Sequence, residues 1–110
     1  MIRVKDFDLS ASADGTIQQV SLTHPEDPGM RLWGYSFQAT GTFGSGTLEL
    51  QVSNDGTNYV ALPSGAKSLT AAGVKSSFDG ELAGFKYARL QLSGSTSPSL
   101  TIKAVAEYLR

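Results

Sequence analysis

Apolar and polar residues alternate with a period of two along most of this chain. Glycine, proline, asparagine and aspartate interrupt the alternation at short intervals. The clearest stretch is Thr47 to Pro63, TLELQVSNDGTNYVALP. Leu48, Leu50 and Val52 alternate there with Thr47, Glu49, Gln51 and Ser53, the pattern of a strand with one buried and one wet face. Asn54-Asp55-Gly56 supplies a turn. Asn and Asp bond back to nearby backbone, and Gly takes a left-handed φ without steric cost. Val60 and Leu62 resume the alternation, and Pro63 ends it.

The same reading extends in both directions. Ile2 to Leu9 forms a first strand in which Ile2 and Val4 share one parity and Phe7 and Leu9 the other. A bulge near Lys5-Asp6 would reconcile them. A turn at SASADG precedes a strand from Ile17 to Leu22, with Val20 and Leu22 inward and Gln18-Gln19 irregular. Thr23 to Gly29 contains Pro25 and Pro28 and reads as a loop. Arg31 to Thr40 is the most aromatic strand, placing Trp33, Tyr35, Phe37 and Ala39 on one face, and GTFGSG turns the chain after it. Ser64 to Gly73 is a connection from which Leu69 dips into the core. Short strands follow at Val74 to Phe78 and Phe85 to Leu92, with a turn at Asp79-Gly80 between them. A last strand carries Leu100, Ile102, Ala104 and Ala106 and runs to about Tyr108.

About eight short strands at even spacing, with no helical period, predict an all-β fold. Two packed antiparallel sheets, a jelly-roll-like β-sandwich, fit best, with a closed barrel as the alternative. The 110 residues suit one domain spanning 1–110.

Composition narrows the chemistry. The net charge of −1 favours neither nucleic acid nor an anionic membrane as a partner. The chain has no cysteine, which removes disulfides, thiolate metal sites and cysteine nucleophiles. No apolar run approaches the ~20 residues of a membrane-spanning helix. The N-terminal MIRVKDFDL lacks the apolar stretch of an export signal.

His24 is the single histidine, beside Glu26 and Asp27. A divalent metal site normally needs three or more protein ligands and no second histidine exists to join this cluster, so a solvated loop accounts for it better. Asp6, Asp8, Asp14, Glu49, Asp55, Asp79, Glu81 and Glu107 are scattered over turns and wet faces with no converging pair. Asn54-Asp55 could contribute oxygens to calcium, but a hairpin turn explains both residues. GTFGSG lacks the Lys and following helix of a phosphate loop. No GxSxG elbow is present. The expectation is a chain with no catalytic residues, no metal and no cofactor.

Trp33, Tyr35 and Phe37 could form a stacking platform, but their shared parity with Ala39 favours a core. Tyr59, Tyr87 and Tyr108 are expected on parities opposite the core, where an apolar ring with a polar tip suits an interface. With Arg31 and Arg89 they are the candidate interface residues, and the segment Met1–Leu9 is a further candidate for contacts.

Two resemblances add to this picture. LELQVSNDGTNYVAL and FKYARLQL resemble the core hairpin and R-L strand of discoidin, or coagulation-factor type C, sandwiches. That likeness implies a carbohydrate-binding module, although the chain is shorter than those domains and lacks their paired cysteines. YSFQATGTFGSGTLELQVSNDGTNYVALPSGAKSLTAAG and YARLQLSGSTSPSLTI resemble small β-sandwich virion structural proteins of tailed bacteriophages. This second likeness implies a non-enzymatic capsid decoration (cement) protein, or a tail, baseplate or fibre-associated one. Its partners would be the major capsid protein or other virion proteins. It would form a homo-oligomer, a trimer being favoured, and reside in the virion after assembly in the host cytoplasm.

Overall fold

The computed structural model describes residues 2–24, 26–77, 80–82 and 84–110. The strands are β1 (Ile2–Ala11), β2 (Gly15–Ser21), β3 (Thr23–His24), β4 (Asp27–Thr42), β5 (Thr47–Ser53), β6 (Val60–Ala61), β7 (Lys67–Leu69), β8 (Gly73–Ser76), β9 (Tyr87–Ser93) and β10 (Ser99–Leu109). They form two antiparallel sheets. The first has the order β1-β10-β4-β3, with β8 also on β4. The second has the order β2-β9-β5-β6, with β7 also on β5. The chain crosses between sheets at most connections, and β1 and β2 pair with the late strands β10 and β9. This is the jelly-roll form of a β-sandwich. Both sheets keep free edges, so the barrel alternative is set aside.

The core lies between the inner faces. In the second sheet Leu48 faces Leu92, Leu50 faces Leu90 and Val52 faces Ala88, all buried. Against them pack Tyr35, Phe37 and Ala39 of β4 and Leu100, Ile102, Ala104 and Ala106 of β10. The period-two pattern read from the sequence survives wherever a strand runs without interruption.

Two bulges change that parity. Tyr108 pairs with Leu32 but Glu107 pairs with Gly34, so Trp33 is an extra residue in β4. Before it Met30 and Leu32 point inward; after it Tyr35, Phe37 and Ala39 do. Trp33 itself is half-buried, and its indole lies against Gly80 rather than in the core. In β2 the register shifts between Thr16 and Gln18 around Ile17. Gln18 and Val20 then lie opposite buried Leu90 and Ala88, while Gln19 lies opposite Arg89.

Three expectations are corrected. β1 carries no bulge near Lys5-Asp6, because its register with β10 is unbroken from Ile2↔Leu109 to Ala11↔Leu100. Ile2 and Val4 instead face solvent, 58% and 59% exposed, while the opposite parity carries Phe7, Leu9 and Ala11 inward. The expected loop after Leu22 is largely a hairpin, with Thr23 opposite Arg31 and His24 opposite Asp27. Pro28 is tolerated there because β10 pairs with β4 only as far as Arg31, so no ladder bond to β10 is lost. Val60 does not join the core. It pairs with buried Val52 but sits at the sheet margin, 60% exposed. Leu62 and Leu69 are buried as expected. Pro25, Phe78 and Asp79 lie outside the described residues.

Candidate interaction site

The outer face of the second sheet is a grid of cross-strand rows. Ser21, Tyr87 and Ser53 form one row; Gln19, Arg89, Gln51 and Ala61 the next; Thr16, Gln91, Glu49 and Ser68 the third. Arg89 organises the middle. Its guanidinium carbon lies 4.2 Å from the centroid of the Tyr59 ring, a cation–π contact. Its Nε donates to Gln51 Oε1 at 2.8 Å, and a terminal nitrogen reaches Thr16 Oγ1 at 3.5 Å. Gln19 Nε2 donates to the Tyr59 hydroxyl at 2.6 Å, Thr16 Oγ1 to Gln91 Oε1 at 2.8 Å, and Gln51 Nε2 to Glu49 Oε1 at 2.8 Å. Fixed in advance, these side chains lose little rotamer freedom when a partner covers them.

Tyr59 reaches this face from a loop that Asp55 folds. Asp55 Oδ1 accepts from the amides of Thr57 (2.9 Å) and Asn58 (2.8 Å) and from Ser53 Oγ (2.9 Å), and Oδ2 accepts from Asn58 Nδ2 (2.8 Å). Led by the Asn58 amide, these donors hold the Asp55 carboxyl far below the usual carboxylate range. Oxygens so engaged are poor candidates for cation ligands, and the loop is the structural turn expected. Gly56 closes it at φ +75°, and a Cβ there would lie 3.3 Å from the Tyr87 ring.

The structure therefore brings Tyr59, Tyr87 and Arg89 to one face. Arg31 lies toward its end, donating to the Phe85 carbonyl at 3.3 Å and lining a hollow of about 270 Å³ with Tyr87 and Lys86. Tyr108 is a correction. It shares the parity of Leu100 to Ala106 and is buried, 3% exposed, and burial raises its phenol above the ordinary value. Its ring meets His24 edge-on, centroids 4.7 Å apart.

His24 is a correction too: it is buried rather than solvated. Its Nδ1 accepts the Glu26 amide at 3.1 Å, so in the neutral ring the proton sits on Nε2. Asp27 pairs with Arg110 and accepts the Gly29 amide. Among the described residues no group of three or more His, Asp or Glu is placed to hold a metal ion. Asp8 pairs with Lys103 at 2.6 Å. Asp14 accepts from the Ser95 hydroxyl and from its amide, which lower its carboxyl in that order. Tyr35 and Phe37 are buried, 3% and 0% exposed, so they form no platform with Trp33.

A groove that the sequence reading missed lies at the open side of the sandwich, where β1 and β2 are the edges of the two sheets. It holds about 580 Å³ and is lined by Lys5, Phe7, Gln18, Val20, His24 and Tyr108, among others. Arg3, Lys5 and Glu26 line an adjoining hollow of about 200 Å³. The available signal was the odd-numbered run Arg3, Lys5, Phe7, Leu9, in which two cations share a parity with two core residues.

No protein-family model matches the chain, and no curated protein is significantly similar to it in sequence. Solved structures share its fold. The SPBc2 prophage-derived protein YomS superposes with a TM-score of 0.66 at 12% identity, covering 97% of this chain and 95% of that one. The PBSX exported protein XepA gives 0.66 at 14% identity, covering 96% of this chain but 38% of XepA. A chain of the Bacillus endospore appendages, which form disulfide-linked pili, gives 0.53 at 10% identity, covering 98% and 85%. The fold is that of two phage-derived proteins. It is also that of a pilus component.

Proposed function

We propose that this chain is a non-enzymatic structural component of a bacteriophage particle, and within that role a capsid decoration (cement) protein. The supporting observation is a fold shared over nearly the full length of both chains with the prophage-derived YomS. The outer face of the second sheet suits the role. Its Arg89–Tyr59 stack and surrounding amides are fixed before any partner arrives, and Tyr and Arg are residues enriched in protein interfaces. In this reading the face covers joints between subunits of the major capsid protein and stabilises the shell by mass action. A homo-oligomer, a trimer by preference, would match a capsid symmetry axis. A tail, baseplate or fibre position uses the same face on a different partner. Mass spectrometry of purified particles tests the reading: the chain is expected in mature virions, and full heads lacking tails should retain it. Its absence from virions refutes the structural role; recovery only with tails transfers it to the second position. Native mass spectrometry of the isolated protein reads the oligomer.

A further inference from the structure

We infer that the free edge of β1 and the groove beneath it form a binding site for an extended acidic peptide segment, which adds to the first sheet as a further strand. β1 is ten residues long and, among the described residues, pairs only with β10, on one side. It has neither a proline nor a bulge, so the backbone along its other side is a continuous template for strand addition.

What faces such a strand decides its chemistry. On the inward parity of β1 stand Arg3, Lys5, Phe7 and Leu9. Arg3 and Lys5 are exposed because the second sheet does not cover this end, and the groove of about 580 Å³ opens beside Lys5. Among the described residues its lining contains no carboxylate, Glu26 standing only in the adjoining hollow, and several of its polar groups are donors. Lys5 is an ammonium whose only described contact is 5.5 Å above the Phe7 ring. Gln18 has its Oε1 occupied by the Tyr35 hydroxyl at 2.7 Å, so the amide nitrogen is the group it has left. His24 has Nδ1 occupied by the Glu26 amide, so Nε2 is its donor. Phe7, Val20 and Tyr108 give the groove apolar walls.

A strand laid along β1 puts alternate side chains over this groove. Apolar or basic residues there would bury Arg3 and Lys5 without partners, which is costly. Acidic residues would pair with them. The two cations thus discourage indiscriminate edge association, including that of a second β1: an antiparallel β1–β1 pair related by a twofold axis sets Arg3 or Lys5 against like charge or apolar side chains in the central registers. On the opposite face the added strand would meet Ile2 and Val4, 58% and 59% exposed, which apolar residues would cover, and further along Asp6 and the Lys103-paired Asp8. The favoured segment therefore alternates acidic and apolar residues.

The test uses the isolated protein and two blocked hexapeptides, one alternating glutamate with valine and one alternating lysine with valine, followed by amide NMR and hydrogen exchange. The glutamate peptide is expected to shift β1, Gln18, His24 and Tyr108, and to slow exchange at the β1 amides that β10 leaves unpaired. The double substitution Arg3→Glu/Lys5→Glu is expected to reverse the preference between the peptides by about tenfold, the equivalent of two modest charge pairs. A retained β1–β10 amide pattern in that variant shows that it still folds. Equal binding of both peptides, no binding at millimolar concentration, or shifts confined to the Arg89 face would each overturn the proposal. So would glutarate reproducing every shift, with no slowing of exchange when the glutamate peptide is added, because that describes a small-anion pocket without strand addition.

Discussion

The hydrogen bond between Tyr35 and Gln18 joins the two sheets, because Tyr35 lies on β4 and Gln18 on β2. The hydroxyl donates to Gln18 Oε1 at 2.7 Å from a side chain only 3% exposed. Tyr35→Phe removes the donor, but Gln18 is half-buried at the open side, so its oxygen can recover water. The loss should be about 1 kcal/mol, the net worth of one such bond. Gln18→Leu leaves the hydroxyl in the interior without its acceptor and should cost more, about 1–3 kcal/mol. The double variant should be no worse than Gln18→Leu alone, giving a coupling of about 1 kcal/mol in a double-mutant cycle. Thermal and urea unfolding read these differences, and 1 kcal/mol corresponds to about 4 °C in Tm for a chain of this size. The phenol adds a pH signature. Burial raises the Tyr35 pKa above its ordinary value of about 10, with Tyr108 adding to the effect. The folded state therefore holds the proton more tightly. Its stability is complete below about pH 10 and falls as pH rises beyond that, where the unfolded phenol ionises first. Tyr35→Phe should flatten that alkaline loss. Purely additive single costs, or an alkaline slope unchanged by Tyr35→Phe, would refute the reasoning.

The remaining expectations concern the core and the Asp55 loop. Phe37→Ala deletes a fully buried ring on a strand paired on both sides and should cost about 3–5 kcal/mol, read by urea unfolding. Gly56→Val places a β-branched side chain at φ +75° and against the Tyr87 ring, and should cost about 1–2 kcal/mol in a thermal melt from the backbone alone; a variant that melts like the parent would disprove the turn. Asp55 has a depressed folded pKa, so its contribution is present above the unfolded carboxylate value of about 3.9 and is lost as pH falls below it. Asp55→Asn should lower stability at neutral pH and make acid unfolding less steep below about pH 4, followed by circular dichroism.

The sequence by itself determined the local structure. In β5, β9 and most of β10 the inward residues are those that alternation picks out, and Gly56 is left-handed as the Asn54-Asp55-Gly56 turn requires. These features need only neighbouring residues, because strand period and turn chemistry are local. The tertiary structure decided the rest. An extra residue at Trp33 or Ile17 exists only relative to a partner strand, so the parity change that took Trp33 out of the core had no local signature, and the irregularity at Gln18-Gln19 did not say which of the two would turn inward. Tyr108 was legible, because it continues the inward parity of Leu100 to Ala106, whereas it took the adjoining hairpin to bury His24 against it. Arg89 and Tyr59 were both legible as residues off the core parity, but their stacking depends on β5 lying between β9 and β6. The groove beside β1 follows from sheet order: whether a strand edge is free depends on which strands the rest of the chain leaves unpaired.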